Sequence, residues 1–107
     1  MNEQFAVIEG VVGSDAHGIS VHRQHTRDGQ DRYLACIGLR DGSRLIWQEI
    51  ELSREQLAQF DRALAGGNIV RVSGVLKKLL GLPVCRVQVD SVELICARKP
   101  LALRVAA

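Results

Sequence analysis

The sequence has few aromatic residues, few prolines and no long hydrophobic run. Aromatic residues make up 4% of its 107 residues, and only two residues are proline. No stretch approaches the roughly 18 apolar residues that a helix needs to cross a bilayer. The N-terminus also lacks the basic and apolar segments of a signal peptide. These absences predict a cytoplasmic protein with no membrane partner.

The three cysteines, Cys36, Cys85 and Cys96, include no C-x-x-C pair. An odd number without that spacing favours a reducing compartment over a disulfide framework. Each cysteine is therefore expected to be a small buried apolar residue. His22 and His25 share an H-x-x-H spacing, but no cysteine or carboxylate lies near them at the spacing of a metal site. We expect no disulfide, no metal and no other cofactor.

Catalytic motifs are absent as well. The sequence contains no G-x-S-x-G nucleophile elbow, no phosphate-binding G-x-x-x-x-G-K-[ST] loop, no H-E-x-x-H helix and no G-x-G-x-x-G turn. The composition, with 47% hydrophobic and 24% charged residues, is that of an ordinary globular domain. The sequence therefore predicts a binding protein rather than an enzyme.

The charge is nearly balanced, with 14 basic and 12 acidic residues and a formal net charge of +2. This balance neither requires nor excludes a nucleic-acid partner, because the distribution of charge matters more than its sum. Eleven of the basic residues are arginine, whose planar guanidinium suits stacking and phosphate contacts.

Most of the chain shows the pattern of β-strands. Short β-branched or alternating runs predict strands at Phe5–Gly13, Ile19–Gln24, Arg32–Arg40, Leu45–Leu52, Ile69–Leu76 and Val84–Ile95. The Asp28-Gly29 and Asp41-Gly42 pairs are typical hairpin turns. Asp90-Ser91 is expected to kink the last strand.

One segment has the signals of a helix. Ser53 and Gln56 form the S-x-x-Q pattern of a capping box. Leu57, Phe60 and Leu64 then recur on one face, and Gly66-Gly67 can end the helix. The pattern predicts a helix over Arg54–Ala65.

The order of these elements predicts the fold. If Ile19–Gln24 continues the first strand around a bend, the chain has five antiparallel strands with one helix between strands 3 and 4. This is the arrangement of an OB-fold, a small Greek-key barrel in an all-β protein with one helix. We expect the OB-fold domain to span residues 1–97 and residues 98–107 to form a flexible tail.

The end of the predicted barrel carries a resemblance to a known family. Gly67, Val70, Val72 and Gly74 form a G-x-x-V-x-V-x-G strand, and the strand Arg86–Ile95 ends in an apolar, acidic, apolar pattern. Together they resemble the closing hairpin of bacterial single-stranded-DNA-binding proteins. The short tail, without an acidic tip, resembles the primosomal replication proteins of that family. The resemblance implies binding of single-stranded nucleic acid, DNA more than RNA, in replication, repair or replication restart. It also implies a homodimer and contacts with other replication proteins.

Candidate binding residues follow from what single strands need, which is aromatic platforms beside a basic groove. Phe5 and Phe60 are assigned to the core, which leaves Trp47 and Tyr33 as platforms. Trp47 could instead pack at the barrel rim or a subunit interface, and Tyr33 at the core edge. Strand alternation sends Trp47 outward if Ile46 and Ile50 point inward. The cations expected to contact phosphates, unless they form an ordinary solvated face, are Arg44, Arg71, Lys77, Lys78 and Arg86.

The apolar loop after Lys78 predicts a protein contact. Leu79, Leu80 and Leu82 stand close together there, and exposed apolar patches commonly mark partner surfaces, although the loop could instead fold back on the barrel. Few aromatics, balanced charge and this loop also support a second hypothesis. In it, the chain is an OB-fold protein-interaction module that binds little or no nucleic acid.

Overall fold

Six strands and one short helix make up the regular structure of residues 4–78 and 84–98, the part of the chain that the computed structural model describes. In chain order they are β1 (Gln4–Val12), β2 (His22–His25), β3 (Asp31–Asp41), β4 (Arg44–Leu52), α1 (Arg54–Phe60), β5 (Ile69–Lys78) and β6 (Cys85–Cys96). No helix in these residues is long and apolar enough to cross a membrane. Most of the predicted tail, residues 99–107, lies outside the described residues.

Five of the strands close into a barrel, which confirms the predicted OB-fold. The hydrogen-bonded order is β1-β5-β6-β4-β3, and β1 returns to β3 through the pairs Val11–Gly38 and Val12–Ile37. Two details differ from the prediction. The run Ile19–Gln24 does not continue β1, because its end forms the separate strand β2 on the outer edge of β3. The pairing of β4 with β6 is parallel, so the barrel is not antiparallel throughout.

Both predicted hairpin turns are present. Gly29 lies between β2 and β3 with a φ of +79°, and Gly42 lies between β3 and β4 with a φ of +62°. Both angles belong to the left-handed region that glycine adopts without steric cost. The second turn pairs Asp41 with Arg44 and so sets the register of the whole β3–β4 ladder. The expected kink in the last strand is also found, because Asp90 is skipped where Ser73 pairs with Ser91 and Gly74 with Val89.

The core lies inside the barrel and is built from the inward-facing alternate residues of the strands. It consists of Val12, Ala35, Ile37, Ile50, Leu52, Leu64, Val70, Val72, Val87 and Val89. Phe5 was expected there, but 75% of its surface is exposed. The reason is alternation, since Ala6 and Ile8 take the inward positions of β1 and leave Phe5 on the outer face.

The helix begins as predicted and ends five residues early. Ser53 and Gln56 exchange the two hydrogen bonds of the capping box, at 3.2 and 3.0 Å. Beyond Phe60 the chain turns so that Leu64 enters the core with none of its surface exposed. The side-chain amide of Asn68 donates to the carbonyls of residues 62 and 63, at 3.3 and 3.2 Å. These bonds satisfy carbonyls in the turn that replaces the expected last turn of helix.

The barrel is closed between β4 and β6 by only two residue pairs, Ile50–Val87 and Glu51–Gln88. A side-chain contact reinforces this seam. The Arg86 guanidinium donates to Glu49 at 2.7 Å and to Glu51 at 3.0 Å, and only 11% of the Arg86 side chain is exposed. Arg32, on β3, donates to both oxygens of Glu51 at 3.2 Å. Charged hydrogen bonds of this kind are stronger than neutral ones, so Arg86 links the two strands where the backbone pairing is shortest.

The two arginines that contact Glu51 also set the charge state of this carboxyl group. Burial would by itself raise the pKa of Glu51, but hydrogen bonds from Arg86 and Arg32 outweigh it and lower that pKa below its usual value. A carboxylate with a lowered pKa in the folded state stabilises the fold at neutral pH. That contribution is lost as the pH falls below the ordinary carboxyl range through the lowered pKa.

Replacing Arg86 with alanine should lower the free energy of unfolding by about 3 kcal/mol at pH 7, because Glu51 would lose one charged partner while remaining buried. Urea denaturation measures this loss. The difference from the wild-type protein should shrink as the pH falls through the titration of Glu51.

Arg71→Ala is the matched control, since Arg71 also contacts two glutamates, Glu9 at 3.7 Å and Glu93 at 3.2 Å, but is 46% exposed. Its loss should cost less than about 1 kcal/mol. Equal destabilisation by the two substitutions would show that Arg86 has no special role in closing the barrel.

Candidate nucleic-acid interface

Trp47 lies on the outer face of the barrel with 52% of its surface exposed. It belongs to β4, where Ile50 is fully buried, so alternation turns Trp47 outward as predicted. Ile46, which was also expected to point inward, is 47% exposed. Its cross-strand neighbour on β3 is Gly38. A large aromatic side chain half in solvent, on a regular strand, is available to contact a flat ligand.

A groove of about 370 Å³ lies on one side of the indole. Its walls come from β3, β4 and the segment that joins β1 to β2. The lining residues are Gly13, Ser14, Asp15, Ile19, Ser20, His22, Leu34, Ala35, Cys36, Trp47 and Glu49. Leucine, isoleucine, alanine and the indole give it a largely apolar wall with polar groups at the rim.

A second groove, of about 430 Å³, shares Cys36, Trp47 and Glu49 with the first and extends to Val84 and Cys85 at the start of β6. Because three residues line both grooves, they form one depression with Trp47 between its two halves. Each half is larger than the space that one aromatic base occupies. The depression therefore offers an aromatic platform of the kind on which the bases of a single strand stack.

The segment that walls the first groove is held by Asp15. Its carboxylate accepts hydrogen bonds from the backbone amides of His17 and Ile19, at 2.8 and 3.0 Å, and lies 3.5 Å from Nε2 of His22. The backbone hydrogen bond from Ile19 is the main cause that lowers the Asp15 pKa. The Ser20 hydroxyl donates to the Leu64 carbonyl at 2.6 Å and ties the segment to the barrel.

Two of the predicted cations border the second groove. Lys77 and Lys78 are exposed at the end of β5, where Lys78 pairs with Cys85. The Gln48 side chain, next to Trp47, donates to the Cys85 carbonyl at 3.0 Å. Neither lysine forms an ion pair with an acidic residue in the described part of the chain.

Arg44 and a residue that the sequence did not single out, Arg40, lie beside the β3–β4 turn, beyond Trp47 along the two strands. Arg40 is exposed on β3 and pairs with Leu45, on the same face as Gly38 and Trp47. Arg44 is 80% exposed, and its contact with Asp41, at 3.8 Å, is a weak surface pair. Arg40 therefore shares the face of Trp47, whereas Arg44 alternates to the opposite face of β4.

The other predicted binding residues lie elsewhere. Tyr33 packs against the core from the inner face of β3. Arg71 stands six residues before Lys77 on β5, about 20 Å away along the strand, between Glu9 and Glu93. Arg86 adjoins the depression, but its guanidinium is taken by Glu49 and Glu51. Leu79, Leu80 and Leu82 lie outside the described residues.

The cysteines are not buried, which corrects the sequence prediction. Cys36, Cys85 and Cys96 are all exposed and unpaired in disulfides. Two of them line the second groove. Partial burial and the nearby carboxylate of Glu49 raise the pKa of the Cys36 thiol, so it stays protonated at neutral pH.

Some of the groove residues could have been found from sequence and others could not. The Asp41-Gly42 turn sets a register that pairs Gly38 with Trp47, and that pairing can be counted from the turn. Gly13 and the segment around Asp15 reach the indole only because β1 crosses to β3 at the end of the barrel. No pattern within a short stretch of sequence predicts that β1 crosses to β3.

Comparison with known proteins supports the fold. The mitochondrial single-stranded DNA-binding protein of S. cerevisiae matches with a TM-score of 0.73 and 16% identity, over 92% of this chain and 100% of that one. The small single-stranded DNA-binding protein of Streptomyces coelicolor matches at 0.64 with 19% identity, over 92% and 100%. The dimeric N-terminal domain of PriB from Thermoanaerobacter tencongensis matches at 0.66 with 14% identity, over 87% and 97%.

No protein-family model matches the chain, and no curated protein matches it in sequence. The family resemblance drawn from the closing hairpin is thus confirmed at the level of the fold, where the similar structures are OB-fold single-stranded DNA-binding proteins.

Proposed function

We propose that this protein binds single-stranded DNA in the depression around Trp47. The observation that carries the proposal is the half-exposed indole between two grooves. Bases unstacked from a single strand can stack on such a ring, whatever their sequence. The fold supports the proposal, because the similar structures named above are single-stranded DNA-binding proteins.

The charges beside the indole suit a strand that crosses it. Arg40 and Arg44 stand at the β3–β4 end, and Lys77 and Lys78 stand beside the second groove. Phosphates held by Arg40 at one end and by the lysines at the other would place the intervening bases over Trp47. Glu49 carries a negative charge in the depression, but Arg86 neutralises it at 2.7 Å. The seam that closes the barrel therefore also removes a repulsion from the binding face.

Replacing Trp47 with alanine should weaken binding of a labelled oligothymidylate by at least fivefold, since one stacked base contributes about 1–3 kcal/mol. Fluorescence anisotropy at fixed salt measures the dissociation constant. Ile95→Ala is the control, because Ile95 is 41% exposed on β6 outside the depression. Unchanged affinity in the Trp47 variant would refute the proposed site, and no binding by the wild-type protein would favour the protein-interaction hypothesis instead. Competition with an RNA strand of equal length shows which nucleic acid is preferred.

Replacing both Lys77 and Lys78 with alanine should weaken binding and flatten its dependence on salt. Each lost phosphate contact lowers the slope of log K against log salt by about 0.7 for a single strand. A salt titration of the double variant checks this. Arg71→Ala serves as the control, since its guanidinium is already paired and lies along β5 from the depression. A slope unchanged in the lysine variant would remove these two residues from the interface.

We also propose that the protein forms a homodimer through β1. Phe5 and Val7 are 75% and 67% exposed on one face of this strand. Residues 4–10 pair with β5 on one edge, and only Val11 and Val12 pair with β3 on the other. A free edge with exposed apolar side chains can pair with the same strand of a second copy across a two-fold axis. The PriB domain with a similar fold is dimeric.

The homodimer predicts a mass twice the 11.8 kDa of one chain in light scattering at micromolar concentration. Val7→Lys should reduce the mass to that of one chain, because a charge would be buried in the strand pair. Ile19→Lys, at a residue 49% exposed on the groove segment, is the matched control. A dimer that survives Val7→Lys but is lost in Leu80→Asp would place the interface in the loop after Lys78.

A further inference from the structure

We infer that Gly13 and Gly38 are positioning residues for Trp47, and that they fix the indole before any ligand arrives. The inference rests on the proposed function, because it concerns the ring assigned there to base stacking. It begins from the space around two glycines. A β-carbon at Gly13 would lie 2.7 Å from Cζ3 of Trp47, and one at Gly38 would lie 3.0 Å from the same atom.

The six-membered ring of the indole therefore occupies space that side chains at these two positions would need. Both hypothetical β-carbons also approach Cη2, at 3.2 Å from Gly13 and 3.1 Å from Gly38. Real β-carbons do not come within 3.0 Å of such atoms, so an alanine at Gly13 would displace the ring. The ring spans three strands, because it starts on β4, crosses Gly38 on β3 and reaches the end of β1.

The backbone gives no other reason for glycine at these positions. The glycines with positive φ are at positions 18, 29, 42 and 67, and neither Gly13 nor Gly38 is among them. An alanine at Gly13 would therefore meet no strain from a positive φ. The clash at Gly13 is with the indole alone among its three nearest atoms, whereas Gly38 also approaches Cγ1 of Val11. Gly13 is thus the cleaner position for a test.

The backbone at Gly13, against which the indole packs, is itself held in place. The amide of Gly13 donates to the Cys36 carbonyl at 2.9 Å, and the amide of Val12 donates to the Asn68 carbonyl at 2.8 Å. The backbone pairs Val11–Gly38 and Val12–Ile37 also join β1 to β3. Because the indole is already held against this backbone, it loses little rotational freedom when a base stacks on it. This lowers the entropic cost of binding. Its remaining surface, about half, faces the two grooves.

Four proteins test the inference: the wild-type chain, Gly13→Ala, Trp47→Leu and the double variant. Affinity for a labelled oligothymidylate should fall about five- to tenfold from wild type to Gly13→Ala, as base stacking is lost. When Trp47→Leu is already present, adding Gly13→Ala should change affinity less than twofold, because the ring that it displaces is gone. An equal loss in both backgrounds, or no loss in either, would overturn the inference while leaving the proposed function intact.

Fluorescence gives a second readout that can be taken on the wild-type protein alone, since Trp47 is the only tryptophan in the chain. In the free wild-type protein, time-resolved anisotropy should show no sub-nanosecond rotation of the indole. Gly13→Ala should introduce such a rotation. Fast, wide rotation in the wild-type protein would overturn the inference even if Gly13→Ala failed to fold. Absence of any DNA binding by the wild-type chain would overturn the proposed function alone, because the anisotropy of the free protein tests the position of the indole without a ligand.

Discussion

The arrangement of the outer face around Trp47 depends on the seam that closes the barrel between β4 and β6. Only two residue pairs join the strands there, and Arg86 reinforces them by holding Glu49 and Glu51. Without that closure, β4 would be an edge strand and the second groove would lose its wall at Val84 and Cys85. A buried ion pair adds little net stability compared with apolar packing. Here it adds a side-chain contact between the two strands where their backbone pairing is shortest.

One strand serves two purposes because side chains alternate across it. The inward residues of β4, Ile50 and Leu52, belong to the core. Its outward residues are Trp47, which faces the grooves, and the two glutamates that hold Arg86. The core and the proposed binding surface consequently depend on the same nine residues. A change of register by a single position would send the indole into the core and the leucine into solvent.

Much of the fold was predictable because the responsible interactions are local. Hairpin turns need glycine at particular backbone angles, and the capping box needs two polar side chains three residues apart, so both appear in the sequence. The errors came where tertiary contacts overrode local patterns. Leu64 left the helix to fill the core, and Phe5 faced solvent because its neighbours took the inward positions. Cys36 is exposed because it lies on the outer face of β3, beside Trp47.

The residues of the candidate site can likewise be separated into those set by local sequence and those set by tertiary contacts. By itself, the sequence determined that Trp47 points outward and faces Gly38, because alternation and the Asp41-Gly42 turn are set by neighbours in the chain. It also placed Lys77 and Lys78 at a strand end. The tertiary structure alone decided that Arg86 is occupied by two glutamates, that Tyr33 packs on the core, and that Gly13 lies under the indole. Those facts depend on which distant strands meet when the barrel closes, and pairing between residues far apart in the chain leaves no periodic trace in the sequence.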